Sequence, residues 1–182
     1  MKIKELKKEV GIPEDVEVKI DGKGVIVKGP RGENSRLFSY PKFKLAREGN
    51  KIILLAENAT KREKTMLGTY SAHINNLLRG VKSGFDYKLK ICSGHFPMKV
   101  TVEKDKVMIS NFMGEKTPRK AKISKGVEVK VEGDIIIVSG YDKEEVGQSA
   151  ANIELATRRT GFDKRIFQDG CYIFSKAGKE IE

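Results

Sequence analysis

The chain repeats itself. Val100 and Val102, the turn at Lys104-Asp105, Val107-Met108-Ile109 and Gly114-Glu115 match Val18, Ile20, Val25-Ile26-Val27 and Gly32-Glu33 at a constant offset of 82. Further on, Gly147, Ala151 and Ile153 match Gly68, Ala72 and Ile74, and Ile135 to Val138 parallels Ile52 to Leu55. Agreement in both element order and turn position implies a duplicated module, and each module must then bury its own core. The 182 residues suffice for two modules near the lower size limit of independent stability.

Within each copy the hydrophobic period changes once. Val16, Val18 and Ile20 alternate with charged residues, the pattern of a half-buried strand. Turns are expected at Asp21-Gly22-Lys23-Gly24, Gly29-Pro30-Arg31-Gly32 and Glu48-Gly49-Asn50. They separate strands at Val25–Lys28, Leu37–Tyr40, Phe43–Ala46 and Ile52–Ala56. The period then becomes helical, with Met66, Leu67, Tyr70, Ile74, Leu77 and Leu78 on one face, Thr60 and Glu63 at capping-box spacing, and Gly80 suited to the helix end. In the second copy Val127, Val129 and Val131 alternate up to the turn Glu132-Gly133-Asp134. A second helix, capped by Asp142 with Glu145, carries Val146, Ala150, Ile153 and Thr157 on its buried face. The fold class is α+β: two tandem similar domains, each an antiparallel β-sheet packed with one helix. Expected boundaries are residues 1–82 for the first repeat and 83–170 for the second, joined through Lys82 to Asp86. Residues 171–182 form a C-terminal strand, Cys171 to Phe174, and a basic tail from Ser175 onward.

Charge narrows the partner. Thirty-six Lys and Arg face 25 Asp and Glu, for a net +11, a surplus that favours a polyanion. No apolar run approaches the ~20 residues of a spanning helix, so the expectation is no membrane partner. Met1 to Val10 lacks the apolar stretch of a secretory signal, which points to the cytoplasm. Cys92 and Cys171 form no CxxC pair and, with only His73 and His95, no metal-ligand spacing. In a reducing compartment both read as thiols.

Catalysis finds little support. His73 falls in the first helix, where it reads as a surface or packing residue. His95 lies in Ser93-Gly94-His95-Phe96-Pro97, where an imidazole caps a turn or meets a phosphate. No GxxxxGK[ST], HExxH or GxSxG motif is present, and the carboxylates mostly alternate with Lys on exposed strand positions. The expectation is no catalytic residue, no metal and no cofactor.

The basic clusters lead further. Lys116, Arg119, Lys120, Lys122 and Lys125 crowd one loop and strand without an acid among them. Arg158, Arg159, Lys164 and Arg165 gather past the second helix, and Lys176 and Lys179 extend into the tail. These clusters contain Arg, which binds phosphate bidentately and stacks on bases, and they adjoin Phe112, Phe162 and Phe167. Net charge alone argues otherwise: residues 1–82 carry 18 basic and 10 acidic residues, net +8, and residues 83–182 carry 18 and 15, net +3. Concentration in space decides a specific site, so the second copy is the expected RNA-binding one.

Asn152-Ile153-Glu154-Leu155-Ala156-Thr157-Arg158-Arg159, followed by Lys164-Arg165-Ile166-Phe167-Gln168-Asp169-Gly170, resembles the archaeal and eukaryotic branch of the large-subunit ribosomal protein six family. Gly94-His95-Phe96-Pro97-Met98, Gly114-Glu115-Lys116 and Gly29-Pro30-Arg31-Gly32 are similar to that family as well. The resemblance covers essentially the whole chain. Cys171 departs from it, standing where the family more often has an aliphatic residue, though a Cys packs as a small hydrophobe. The resemblance implies a structural constituent of the large ribosomal subunit. Its second domain would grip large-subunit ribosomal RNA near the sarcin–ricin loop and the translation-factor binding region, beside neighbouring ribosomal proteins and close to translational GTPases. Two other readings stand beside it: an RNA-binding adaptor or chaperone acting off the ribosome, and an enzyme acting on RNA.

Overall fold

The computed structural model describes residues 3–163 and 165–181. The chain divides into two compact units, Met1–Gly84 and Phe85–Glu182.

The first unit contains β1 (Ile3–Gly11), β2 (Glu17–Asp21), β3 (Gly24–Gly29), β4 (Gly32–Leu37), β5 (Phe43–Glu48), β6 (Lys51–Ala59) and α1 (Lys61–Ser83). Two three-stranded antiparallel sheets, ordered β1-β6-β5 and β2-β3-β4, share one core. β6 is central and nearly continuously apolar, with Ile52, Ile53, Leu54, Ala56 and Ala59 all buried. A strand covered on both faces reads this way. α1 seals the unit through Leu67, Ile74, Leu77, Leu78 and Val81. Its start is fixed by Glu63, which accepts the Thr60 backbone N–H at 2.9 Å, the Thr60 hydroxyl and the Tyr40 hydroxyl at 2.8 Å. Those bonds, the Thr60 hydroxyl first, hold the Glu63 carboxyl far below the usual carboxylate range despite its burial. At the other end Arg31 donates its backbone N–H to the Val81 carbonyl at 3.0 Å. Gly29 makes this approach possible, because a Cβ there would lie 2.8 Å from that carbonyl.

The second unit repeats the plan: β7 (Phe85–Cys92), β8 (Lys99–Glu103), β9 (Lys106–Ser110), β10 (Arg119–Lys122), β11 (Val127–Glu132), β12 (Ile135–Gly140) and α2 (Lys143–Ala156). The sheet order β10-β9-β8 mirrors β4-β3-β2, and β11-β12-β7 mirrors β5-β6-β1. Two strands then have no equivalent in the first unit. β13 (Gly170–Lys176) pairs antiparallel with the free side of β7, and β14 (Lys179–Glu180) pairs with β13. β7 thereby becomes the middle of five strands.

Several expectations are corrected. β1 and β7, themselves 82 positions apart at their starts, are strands that the sequence pattern left unassigned, apart from Phe85 and Asp86, which the expected linker Lys82 to Asp86 included. α1 runs to Ser83 and β7 starts at Phe85, so only Gly84 joins them. The strand expected at Leu37–Tyr40 ends at Leu37, because Phe38 turns into the core against Tyr70, with ring centroids 4.8 Å apart. The tail from Ser175 onward is the hairpin of β13 and β14, with Lys176 facing Lys179 across it. α2 is capped by Asp142, whose Oδ1 accepts from the Glu144 N–H at 2.8 Å.

Candidate nucleic-acid interface

One end of the second unit gathers the chemistry. α2 finishes there, and Thr157 links it to the sheet: its hydroxyl donates to the Glu154 carbonyl at 3.0 Å and accepts the Cys171 N–H at 2.9 Å. β13 starts beside the last residue of β7, Gly170 facing Cys92. The loops 93–98, 111–118 and 157–169 therefore share this end. Side chains supply the ties among them, because loops lack the backbone ladders of the elements they join.

Asp169 is the first tie. Its buried carboxylate accepts the N–H of Gly94 at 2.6 Å, the N–H of His95 at 3.0 Å and the Nδ1–H of His95 at 2.6 Å. Burial pushes its pKa up, but the three bonds outweigh burial and hold it below the ordinary aspartate value. His95 stacks in turn on Phe167, with centroids 5.0 Å apart and planes 25° from parallel.

Arg119 is the second tie. It grips Glu115 bidentately, from Nε at 2.7 Å and Nη2 at 2.6 Å, and donates from Nη1 to the carbonyls of Ala156 at 2.9 Å and Arg158 at 3.1 Å. Its guanidinium lies 4.3 Å from the ring centre of Phe112. Bonding to Arg119, helped by its charge and that of Arg159, holds the Glu115 carboxyl below its usual range against the effect of burial. The donors of Arg119 are thus committed inside the protein, and Arg119 joins the 111–118 loop to the end of α2. Phe112, named from sequence as a stacking partner, is 1% exposed and belongs to the core.

The remaining candidates divide in space. Lys116, Lys120 and Lys122 are exposed, the last two on edge strand β10. The Lys122 carbonyl accepts from Asn152 of α2 at 3.0 Å, so this strip runs beside the helix. Arg158 is exposed, and its guanidinium has no partner among the described residues. Arg159 stacks 4.2 Å over Phe162 and reaches the Met113 sulfur at 3.6 Å. Arg165 is exposed and pairs with Asp163 at 2.7 Å. Lys164 lies outside the described residues. Lys176 and Lys179 occupy the far end of β13, about 20 Å from Gly170 at ~3.3 Å per strand residue.

Between these ties opens a pocket of about 350 Å³, absent from the sequence reading, lined by Met113, Leu155, Arg158, Phe162, Phe167 and Tyr172 among others. Met113 reaches it from a left-handed backbone, φ 49°, a conformation costly for a side chain of its kind. Among the described residues no three His, Cys, Asp or Glu side chains are grouped to hold a metal ion, and no helix is long and apolar enough to cross a membrane.

Comparison with known proteins agrees over nearly the whole chain. A family model described as Ribosomal protein L6 matches residues 12–84 and 96–170, one match to each repeat. The chain is 47% identical over 171 residues to the large ribosomal subunit protein uL6 of Methanobrevibacter smithii, covering 94% of this chain and 96% of that protein. It is 48% identical over 176 residues to the uL6 of Methanococcus vannielii, covering 97% of each. It is also 48% identical over 174 residues to the uL6 of Methanothrix thermoacetophila, covering 96% of this chain and 99% of that one.

Proposed function

Since the chain belongs to the ribosomal protein L6 family, we propose that it is a structural constituent of the large ribosomal subunit. It acts in the cytoplasm, binds large-subunit ribosomal RNA and catalyses nothing. The second unit is the main grip, at the end where α2 and the 93–98, 111–118 and 157–169 loops meet.

One observation carries this placement. Arg158 sits at that end, exposed and with no guanidinium partner among the described residues, on a loop tied down by Arg119 and Asp169. An arginine held ready in this way offers a planar fork to phosphate at little ordering cost. Lys116, Lys120 and Lys122 flank it as point charges, and Arg165 extends the array. Lys176 and Lys179 form a separate contact at the other end of β13. The RNA so held lies near the sarcin–ricin loop and the translation-factor binding region, beside neighbouring ribosomal proteins and translational GTPases.

The test is crosslinking of the chain within large subunits, with mapping of the joined nucleotides. Crosslinks from residues 116–122 and 158–165 to large-subunit RNA near the sarcin–ricin loop are expected. Crosslinks confined to the first unit, or recovery of the chain only in the unbound fraction, contradict the placement.

A further inference from the structure

We infer that the pocket at the end of α2 receives a single unpaired RNA base. The inference rests on the RNA-binding reading above and adds to it what the site selects.

The pocket is unusual for the surface it sits on. Leu155, Phe162 and Tyr172 are 55%, 40% and 44% exposed, yet all three line it. Exposed apolar side chains scattered singly need no explanation, whereas three lining one cavity mark a binding site. Its volume of about 350 Å³ falls within the ~300–1,000 Å³ span of small-ligand sites. The walls are also built rather than incidental. Phe167 is backed by His95 on one side and meets Phe162 edge-on at 5.0 Å. Arg159 covers Phe162, and Asp169 fixes His95.

Charge decides which ligand fits. Two carboxylates line the pocket, and both are turned to backbone N–H groups: Asp169 to Gly94 and His95, Glu154 to Ile173 at 3.2 Å. What remains for a ligand is an aromatic floor beneath two guanidinium groups, of which that of Arg158 has no partner among the described residues. A nucleotide satisfies both parts, with its base stacked on the rings and its phosphate on Arg158. An apolar side chain of a neighbouring polypeptide would fill the floor and leave Arg158 unanswered. A paired base, stacked within a helix, cannot enter, so the pocket selects a bulged or looped-out nucleotide.

The experiment uses the full chain and three hairpin RNAs identical except at one position: a bulged 2-aminopurine, an abasic bulge, and no bulge. Binding to the bulged base about tenfold tighter than to the abasic bulge is expected, together with a change of 2-aminopurine fluorescence on binding. Phe162→Ala should abolish that preference, lowering affinity for the bulged base to that for the abasic bulge. Phe162→Tyr should restore it, which separates loss of stacking from loss of folding. Equal affinity for the base and abasic bulges overturns the pocket inference while the RNA-binding reading stands. Failure to bind all three overturns both. Benzoylphenylalanine at position 172, in large subunits assembled in the cell, should crosslink to a nucleotide, and a crosslink to a polypeptide overturns the inference.

Discussion

The Nδ1–H of His95 donates to the buried carboxylate of Asp169 at 2.6 Å across 74 positions of sequence, while the N–H groups of Gly94 and His95 close on the same carboxylate. Asp169 is therefore the anchor of the 93–98 loop. Asp169→Ala should cost about 1–3 kcal/mol, because three hydrogen bonds to one buried, charged acceptor are lost together. His95→Ala should cost less, about 0.5–1.5 kcal/mol, because both backbone donors keep their acceptor. Denaturant unfolding of the two variants measures the ordering, and equal losses would show that the imidazole bond carries the anchor alone.

Acid sensitivity follows from the same carboxylate and from Glu63 and Glu115. All three have folded-state pKa values below their ordinary ones. Such groups stabilise the fold at pH values above the unfolded carboxylate range, and that contribution fades as pH falls through it and towards the lowered values. Stability should hold from pH 7 to about 5 and then decline steeply below about 4. Asp169→Asn should make the acid decline shallower; an unchanged slope would remove Asp169 from the account.

Arg119 and Arg158, both named as RNA contacts from sequence, should separate when mutated. Arg119→Lys loses the bidentate grip on Glu115 and the second-nitrogen contacts to Ala156 and Arg158, and should cost about 1–3 kcal/mol in thermal unfolding. Arg158→Ala removes an exposed guanidinium that has no partner among the described residues, leaves the carbonyl that Arg119 holds, and should stay within about 0.5 kcal/mol of the parent. Its deficit should appear in RNA affinity.

Location should outweigh total charge. Changing Arg158, Arg159 and Arg165 to Glu alters net charge as much as changing Lys19, Lys28 and Lys51 to Glu. Only the first set should reduce RNA affinity strongly, with the log–log salt slope falling by about 0.7–0.9 per lost phosphate contact. Equal losses from the two sets would make net charge the determinant.

Cys171 is fully buried, and burial pushes its thiol up to about 12. Thiolate is the reactive form, so Cys171 should label with a disulfide reagent only at the rate of unfolding. Fast modification of both thiols in the folded protein would mean that the β7–β13 pair opens locally.

Legibility followed the range of the interactions. The duplication, both helices and the Thr60–Glu63 cap rest on residues close in sequence or at a fixed offset, and all were readable. β4 was missed because Gly32–Leu37 is a polar edge strand whose identity comes from its partner, and β7 because Ser83-Gly84 reads as a linker whose expected end, Asp86, already lies in the strand. At the interface the arginines were visible as a cluster. Their division of labour was not, because Arg119 finds its carbonyls 37 and 39 positions away. Nothing local distinguishes Phe112, buried under that arginine, from Phe162, open to solvent.

The position of β13 sets an order of events during synthesis. Its partner β7 begins at Phe85, whereas β13 starts only at Gly170. The first unit is complete once Gly84 has left the exit tunnel and can fold while translation continues. The second unit must wait with β7 paired on one side only until Gly170–Lys176 has also been made, 85 positions after β7 begins (170 − 85). Through that interval the Asp169 anchor of the 93–98 loop is unmade, so the loop end of the second unit is ordered later than the whole of the first unit.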